Sequence, residues 1–245
     1  MIALLDPSSL IHCELCPRRC RANRAAGERG RVWGRRCAQD CPCCPAFLGG
    51  ASHFGRGGVR YDLLLRMPTQ VRLLPEPRDL DGGDSAYEVE PERLVEIMLE
   101  LQAQGAHNIN LVTATHFAHL LPDAIAEARS QGLSIPIVYN TSGYEREEAV
   151  AELGDLVDIW LVDYKYADAS LGRALSHVPD YPEVASRALK RMCAEVARRG
   201  GKLIREDGIM ERGVIVRHLV LPGSAADSCA VLDRVWESPG TSPSR

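Results

Sequence analysis

The chain has 245 residues, of which 45% are hydrophobic and 25% charged, with a net charge of -4. That size suits one large domain or two small ones, and the acidic balance gives no reason to expect nucleic acid or an anionic membrane surface as a partner. The opening MIALLDPSSL has too short an apolar run for a signal peptide, and no stretch approaches the roughly 18 apolar residues of a membrane helix, so a cytoplasmic protein is expected.

The first feature in chain order is CELCPRRC, which places Cys13, Cys16 and Cys20 in a C-x2-C-x3-C spacing. Thiolates spaced in this way can aim at one metal, either zinc or an iron–sulfur cluster. The bland alternative is a set of free thiols in a flexible N-terminus. The chain has nine cysteines, most of them before residue 45, and this odd, clustered set argues for metal binding over a disulfide framework. Cys37, Cys41, Cys43 and Cys44 are weaker candidates as further ligands.

Residues 1–30 thus read as a cysteine-rich metal-binding segment. Residues 31–84 follow with no sustained helical or strand period. Within them RMPTQVRLLPEPRDL, residues 66–80, has three prolines and scattered charges.

From about residue 85 the pattern becomes regular. PERLVEIMLELQAQG spaces Leu94, Ile97, Met98 and Leu101 as one helix face, stopped by Gly105. NINLVTAT reads as a strand, 118–130 as a helix closed by Gly132, and SIPIVYNTSG as a strand. A short helix over 145–153, the strand VDIWLVDYK, the helix PEVASRALKRMCAEVARRGG and the strand GVIVRHLVLPG complete the series. The tail 224–245, ending ESPGTSPSR, has a composition that favours disorder.

Helices and strands alternating with connections too long for hairpins predict an α/β fold with a parallel sheet, doubly wound or barrel-like. The strand ends carry Thr113, Thr115 and His116; Asn140, Thr141 and Ser142; Asp163 and Lys165; and Arg217 or His218. Ligands of parallel α/β folds bind at these carboxyl ends, although polar residues are common there for solvation alone. Arg217 and His218 are adjacent in a strand, so only one faces the ligand side, and Arg217 is expected to be that one.

GAHNINLVTATHF, IPIVYNTSGYE, VDIWLVDYKYAD and RHLVLPG, together with CELCPRRCRANRAAGERG, resemble one group of radical S-adenosylmethionine proteins, the relatives of pyruvate formate-lyase activating enzyme. The resemblance implies a partial (β/α) TIM-like barrel over 85–223, with S-adenosylmethionine and a [4Fe–4S] cluster as cofactors. The cluster sits on three cysteines in a C-x3-C-x2-C loop after the first strand. It delivers an electron that cleaves S-adenosylmethionine to a 5′-deoxyadenosyl radical, which abstracts hydrogen from a substrate. A glycyl radical enzyme as protein substrate, and flavodoxin or ferredoxin as electron donor, are the partners this implies. By the same resemblance Thr113, Thr115 and His116 lie where the amino group of S-adenosylmethionine is contacted, although the usual Gly-Gly-Glu is missing. Asn140, Thr141 and Ser142 would meet its adenosine or methionine portion. Asp163 and Lys165 fall near the methionyl carboxylate, for which Arg217 is a bidentate partner.

After residue 20 the spacing C-x3-C-x2-C occurs at Cys37, Cys41 and Cys44, and no such triad follows residue 44, where the cluster loop is expected. Met67 is encoded by ATG and Pro68 begins with C, so one base on the reading is TGC, cysteine. Val71 as GTG before an Arg codon starting with C, and Leu74 as CTG before Pro75, give the same. Positions 67, 71 and 74 have the C-x3-C-x2-C spacing, and the whole of 66–80 can be read one base on as GCPLKCVYCQNREIS, which resembles the family's cluster loop. A frameshift entering near Gly30 and compensated near 80–85 is therefore expected, disrupting the first barrel strand and the cluster loop and leaving the edge of NINLVT bare. The competing expectation takes the chain literally, as a catalytically inactive metal-binding remnant.

Overall fold

The computed structural model describes residues 11–23, 62–66, 70–73, 87–88, 91–112 and 114–238. Among the described residues eight strands form one sheet: β1 (Asp62–Arg66), β2 (Gln70–Leu73), β3 (Tyr87–Glu88), β4 (Ile109–Val112), β5 (Ile137–Thr141), β6 (Ile159–Asp163), β7 (Leu203–Ile204) and β8 (Met210–Arg217). Their order is β3-β2-β1-β4-β5-β6-β8-β7. β1, β4, β5, β6 and β8 run parallel, while β2, β3 and β7 add antiparallel edges. The protein is therefore α/β with a mostly parallel sheet.

Helices α1 (Pro91–Ala103), α2 (Leu121–Ser130), α3 (Glu147–Leu153), α4 (Ala169–Ser176), α5 (Tyr181–Arg198) and α6 (Ala225–Trp236) connect and cover the strands. In α1, Leu94, Ile97, Met98 and Leu101 are buried, as their three- and four-residue spacing dictates. Gly105 follows at φ +86°, a left-handed turn that closes the helix with little steric cost. A 3-10 helix over Ala114–Phe117 bridges β4 and α2. Among the described residues no helix is long and apolar enough to cross a membrane.

Strand alternation divides the core. Ile109, Leu111, Ile137, Tyr139, Trp160 and Val162 pack in the large cluster that also contains the buried residues of α1, α2 and α5. Val138, Ile159 and Leu161 form a second cluster, with Met210 and Ile215 packed against it. Because successive side chains point to opposite faces, these two sets mark the two sides of the sheet.

Two expectations are corrected. β1 pairs in parallel with β4, Asp62 opposite Asn110 and Leu64 opposite Val112, so the edge of 109–112 is covered rather than bare. Asp-Leu-Leu-Leu-Arg carries enough apolar residues for a strand, and pairing satisfies the backbone groups of β4. The other described residues of 31–84 form β2, again a strand, and the remainder of that segment lies outside the described residues. The tail expected to be disordered carries α6, which buries Ser228 and Val231. Its Asp227 Oδ1 accepts from the backbone N–H groups of Ala167 and Asp168 at 3.0 and 2.7 Å, fastening the helix to the loop after β6.

Candidate functional site

The carboxyl ends of β5, β6 and β8 bring three of the expected residues into one network. Asp163 and Arg217 are register partners across β6 and β8. Arg217 donates from Nε to Asp163 Oδ1 at 2.6 Å and from Nη2 to Asn140 Oδ1 at 3.3 Å. Asn140, Asp163 and Arg217 each lie two residues beyond a member of the Val138–Leu161–Ile215 side, so all three face away from the helix-packed core. Arg217 Nη1 and Asp163 Oδ2 have no hydrogen-bond partner among the described residues. The network thus presents one cationic donor and one anionic acceptor at the strand ends.

His218 turns the other way. Its Nδ1 lies 2.8 Å from the carbonyl of Tyr164, and its Nε2 lies 2.9 Å from Ser228 Oγ, which ties the end of β8 to α6.

Thr141 follows Asn140 but points to the opposite side of the sheet. There Thr115 and Thr141 both donate to Glu145 Oε1, at 2.6 and 2.5 Å. The Gly143 N–H donates to Thr141 Oγ1 at 3.2 Å. Gly143 has φ +77°, and a Cβ there would press on Val162 Cγ1 at 3.2 Å, so the turn that carries Glu145 back toward Thr141 favours glycine. Glu145 is only 3% exposed. Burial raises its pKa to about 7 against the lowering effect of the two threonine hydroxyls. The Tyr139 hydroxyl is hydrogen-bonded to Thr115, and burial, reinforced by the charge of Glu145, pushes it well above the usual phenol range.

The cysteine loop docks on this side. The Cys13 N–H donates to Ala22 O at 3.1 Å and the Arg21 N–H to Cys13 O at 2.9 Å, closing the loop at its base. Cys13 and Leu15 are buried in the main core, while Cys16 and Cys20 are half-buried. Arg146, next to Glu145, donates from Nη1 to the carbonyl of Glu14 at 2.7 Å. Burial pushes the Cys16 thiol up to about 11, with smaller contributions from the charges of Glu145, Cys13 and Cys20. Cys13, Cys16 and Cys20 are thiols, not disulfides. Among the described residues no three His, Cys, Asp or Glu side chains are already gathered to hold an ion.

Ser142 and Lys165 contribute through their backbones. The Tyr181 hydroxyl lies 2.8 Å from the carbonyls of both Ser142 and Asp163, and it accepts from the Lys165 N–H at 2.8 Å. Tyr181 is also the centre of a ring cluster with Tyr144, Tyr164 and Tyr166, which fixes the loops after β5 and β6. Thr113 lies outside the described residues, as does the side chain of His116.

The expected strand-end residues therefore do not make one site. Asn140, Asp163 and Arg217 form one group, and Thr115 and Thr141 belong to another on the far side of the sheet. Glu145, the centre of that second group, was not among the expected residues. Its place in SGYE, two residues before a helix, gives no sign of burial in the sequence alone.

The donor set does not fit a site-differentiated [4Fe–4S] cluster after β1. Positions 67, 71 and 74 are methionine, valine and leucine, none of which supplies a thiolate.

No protein-family model matches the chain. Uncharacterized protein MJ0674 of Methanocaldococcus jannaschii is 30% identical over 116 residues, which are 47% of this chain and 29% of that protein. The chain thus matches less than a third of that relative's length.

Proposed function

We propose that the chain derives from a radical S-adenosylmethionine iron–sulfur protein resembling pyruvate formate-lyase activating enzyme, built on a partial (β/α) barrel. It keeps the side of that scaffold that binds S-adenosylmethionine and has lost the cluster loop. Reductive cleavage to the 5′-deoxyadenosyl radical belongs to a protein with a cysteine triad after its first strand, and no step through the cluster is derived for this polypeptide. Its Cys13, Cys16 and Cys20 hold zinc or a second cluster.

The observation that carries the reading is the Asn140–Asp163–Arg217 network. An amino-acid zwitterion needs an acceptor for its ammonium and a donor for its carboxylate. Asp163 Oδ2 and Arg217 Nη1 offer that pair, side by side. Val138, Ile159, Leu161 and Ile215 supply apolar surface on the same face. β1 is parallel to β4, so the chain leaves β1 at the end of the sheet where this network stands, the end where the family carries its cluster loop. A glycyl radical enzyme as substrate and a flavodoxin or ferredoxin as donor belong to the frame-restored protein.

Calorimetric titration of the full chain with S-adenosylmethionine should show binding, weakened at least about tenfold in Arg217→Ala. After anaerobic reconstitution the chain as it stands should form no 5′-deoxyadenosine, and a frame-restored gene should recover cleavage. The codons for Met67, Val71 and Leu74 should all end in TG and be followed by C; GTA or GTT at Val71 removes the frame argument. The absence of a cysteine triad after β1 favours a second reading, an inactive metal-binding remnant, and a chain that takes up metal but not S-adenosylmethionine establishes it.

A further inference from the structure

We propose that Tyr181 is the positioning residue of the Asn140–Asp163–Arg217 group, acting from the opposite side of the sheet as the rung that holds the ends of β5 and β6 together. The consequence for S-adenosylmethionine binding rests on the reading above, whereas the effect on the group itself does not.

The two gaps that Arg217 bridges are held differently. Between β6 and β8 the ladder runs up to the group itself: Asp163 is the register partner of Arg217, and the Tyr164 N–H donates to Arg217 O at 2.9 Å. Between β5 and β6 the register ends one pair earlier, at Thr141 with Val162. Beyond that pair the Tyr181 hydroxyl takes over. It accepts from the Lys165 N–H at 2.8 Å and shares its own proton between the carbonyls of Ser142 and Asp163, both at 2.8 Å. One oxygen thus joins a backbone group that follows β5 to two at and just beyond the end of β6.

That oxygen is itself fixed. Tyr181 opens α5 and is 2% exposed, within the core cluster on the helix-packed side. Its N–H donates to Val178 O at 3.2 Å, and its ring stacks on Tyr144 and meets Tyr164 and Tyr166 edge-on. Removing the hydroxyl takes a partner from two carbonyls and an amide together. The contact lengths decide what fails first. Arg217 Nη2 stands 3.3 Å from Asn140 Oδ1, against 2.6 Å from Nε to Asp163 Oδ1. An opening of about 0.3 Å between β5 and β6 takes the longer contact out of hydrogen-bond range. The shorter one lies across β6 and β8 and stays. Without Asn140 the guanidinium plane loses one of its two anchors, and a carboxylate approaching Nη1 meets a group that can turn.

Tyr181→Phe keeps the ring and removes the oxygen. Urea melts of the full chain give the coupling between Asn140→Ala and Arg217→Ala from a double-mutant cycle. That coupling should be present in the parent and lost in Tyr181→Phe. It should be kept in Tyr144→Phe, which removes a hydroxyl of the same ring cluster that is bonded to Asp180. Coupling between Asp163→Ala and Arg217→Ala should survive in all three. In the unaltered chain the Lys165 amide should exchange slowly with solvent deuterium. Calorimetric titration with S-adenosylmethionine should show about three- to tenfold weaker binding in Tyr181→Phe and parental affinity in Tyr144→Phe. Asn140–Arg217 coupling that is absent from the parent, persists in Tyr181→Phe or is lost equally in Tyr144→Phe overturns the positioning role. So does a Lys165 amide that exchanges like an exposed one, or equal S-adenosylmethionine affinity in the parent and Tyr181→Phe. The expected couplings in a parent that does not bind S-adenosylmethionine leave Tyr181 in its role and overturn the ligand reading instead.

Discussion

Arg217 and Asp163 face each other across adjacent parallel strands, with Nε 2.6 Å from Oδ1, and the same guanidinium reaches Asn140 on the next strand but one. A single planar group thus links three strand ends. Lysine keeps the charge but cannot make both bonds from one rigid fork. Arg217→Lys should lower stability by about 1–2 kcal/mol in urea melts, and Asp163→Asn should cost a similar amount. A double mutant no worse than either single mutant would show that the two side chains act as one unit.

The buried Glu145 makes stability fall with rising pH. Its carboxyl is raised from 4.5 to about 7 in the folded chain, so between those values the folded state holds a proton that the unfolded state has released. The stability is fully present below pH 4.5 and is lost progressively as pH rises through 7. The loss should be on the order of 3 kcal/mol. Tyr139 and Cys16 both feel the charge of Glu145, and burial pushes both further from this window. Denaturant melts of metal-free protein from pH 4 to 8 should show the slope, and Glu145→Gln should flatten it.

Asp158 is a clamp at the other end of β6. Oδ2 receives Arg129 Nη2 and the Ile137 N–H, each at 2.9 Å, and Oδ1 receives Arg199 Nη2 at 2.7 Å. Removing the carboxylate strands two half-buried guanidinium groups and a backbone donor together. Asp158→Ala should lose about 3 kcal/mol by chemical denaturation. Asp158→Asn, which can still accept from Ile137, should lose less.

Glycine to alanine inside a helix normally stabilises by up to about 1 kcal/mol. At Gly172 in α4 the sign should reverse, because an added Cβ would lie 2.6 Å from the carbonyl oxygen of Val178. That carbonyl cannot retreat easily. It accepts from the Tyr181 N–H, and the Val178 N–H donates to Gly172 O. Gly172→Ala should lower the melting temperature, whereas alanine at Gly208, with no atom within 4 Å of its Cβ, meets only the strain of its φ of +83°.

Helices α1, α2, α3 and α5 and strands β4, β5, β6 and β8 were legible because their apolar spacing is marked and glycine follows each of those helices. α4 and α6 were not. ASLGRALS has an internal glycine, and AADSCAVLDRVW precedes a Ser/Pro-rich tail whose composition dominates any window placed over it. β1 was hidden for another reason: DLLLR has no alternation, and only its pairing with β4 distinguishes it from an apolar turn. In the candidate sites, Asn140, Asp163 and Arg217 could be chosen from their positions at strand ends. Glu145 could not, because a glutamate two residues before a helix reads as a solvated helix start until tertiary packing buries it.

Asn140 and Thr141 are joined by one peptide bond, yet they serve opposite sides of the sheet. β5 is therefore a partition as well as a scaffold, and its pleat is a constraint shared by two otherwise separate chemistries. Point substitutions on one side leave the other untouched, so each can drift independently. A single inserted or deleted residue in β5 cannot: it exchanges the two sides and dismantles both groups in one event. The strand accepts changes of letter and refuses changes of count.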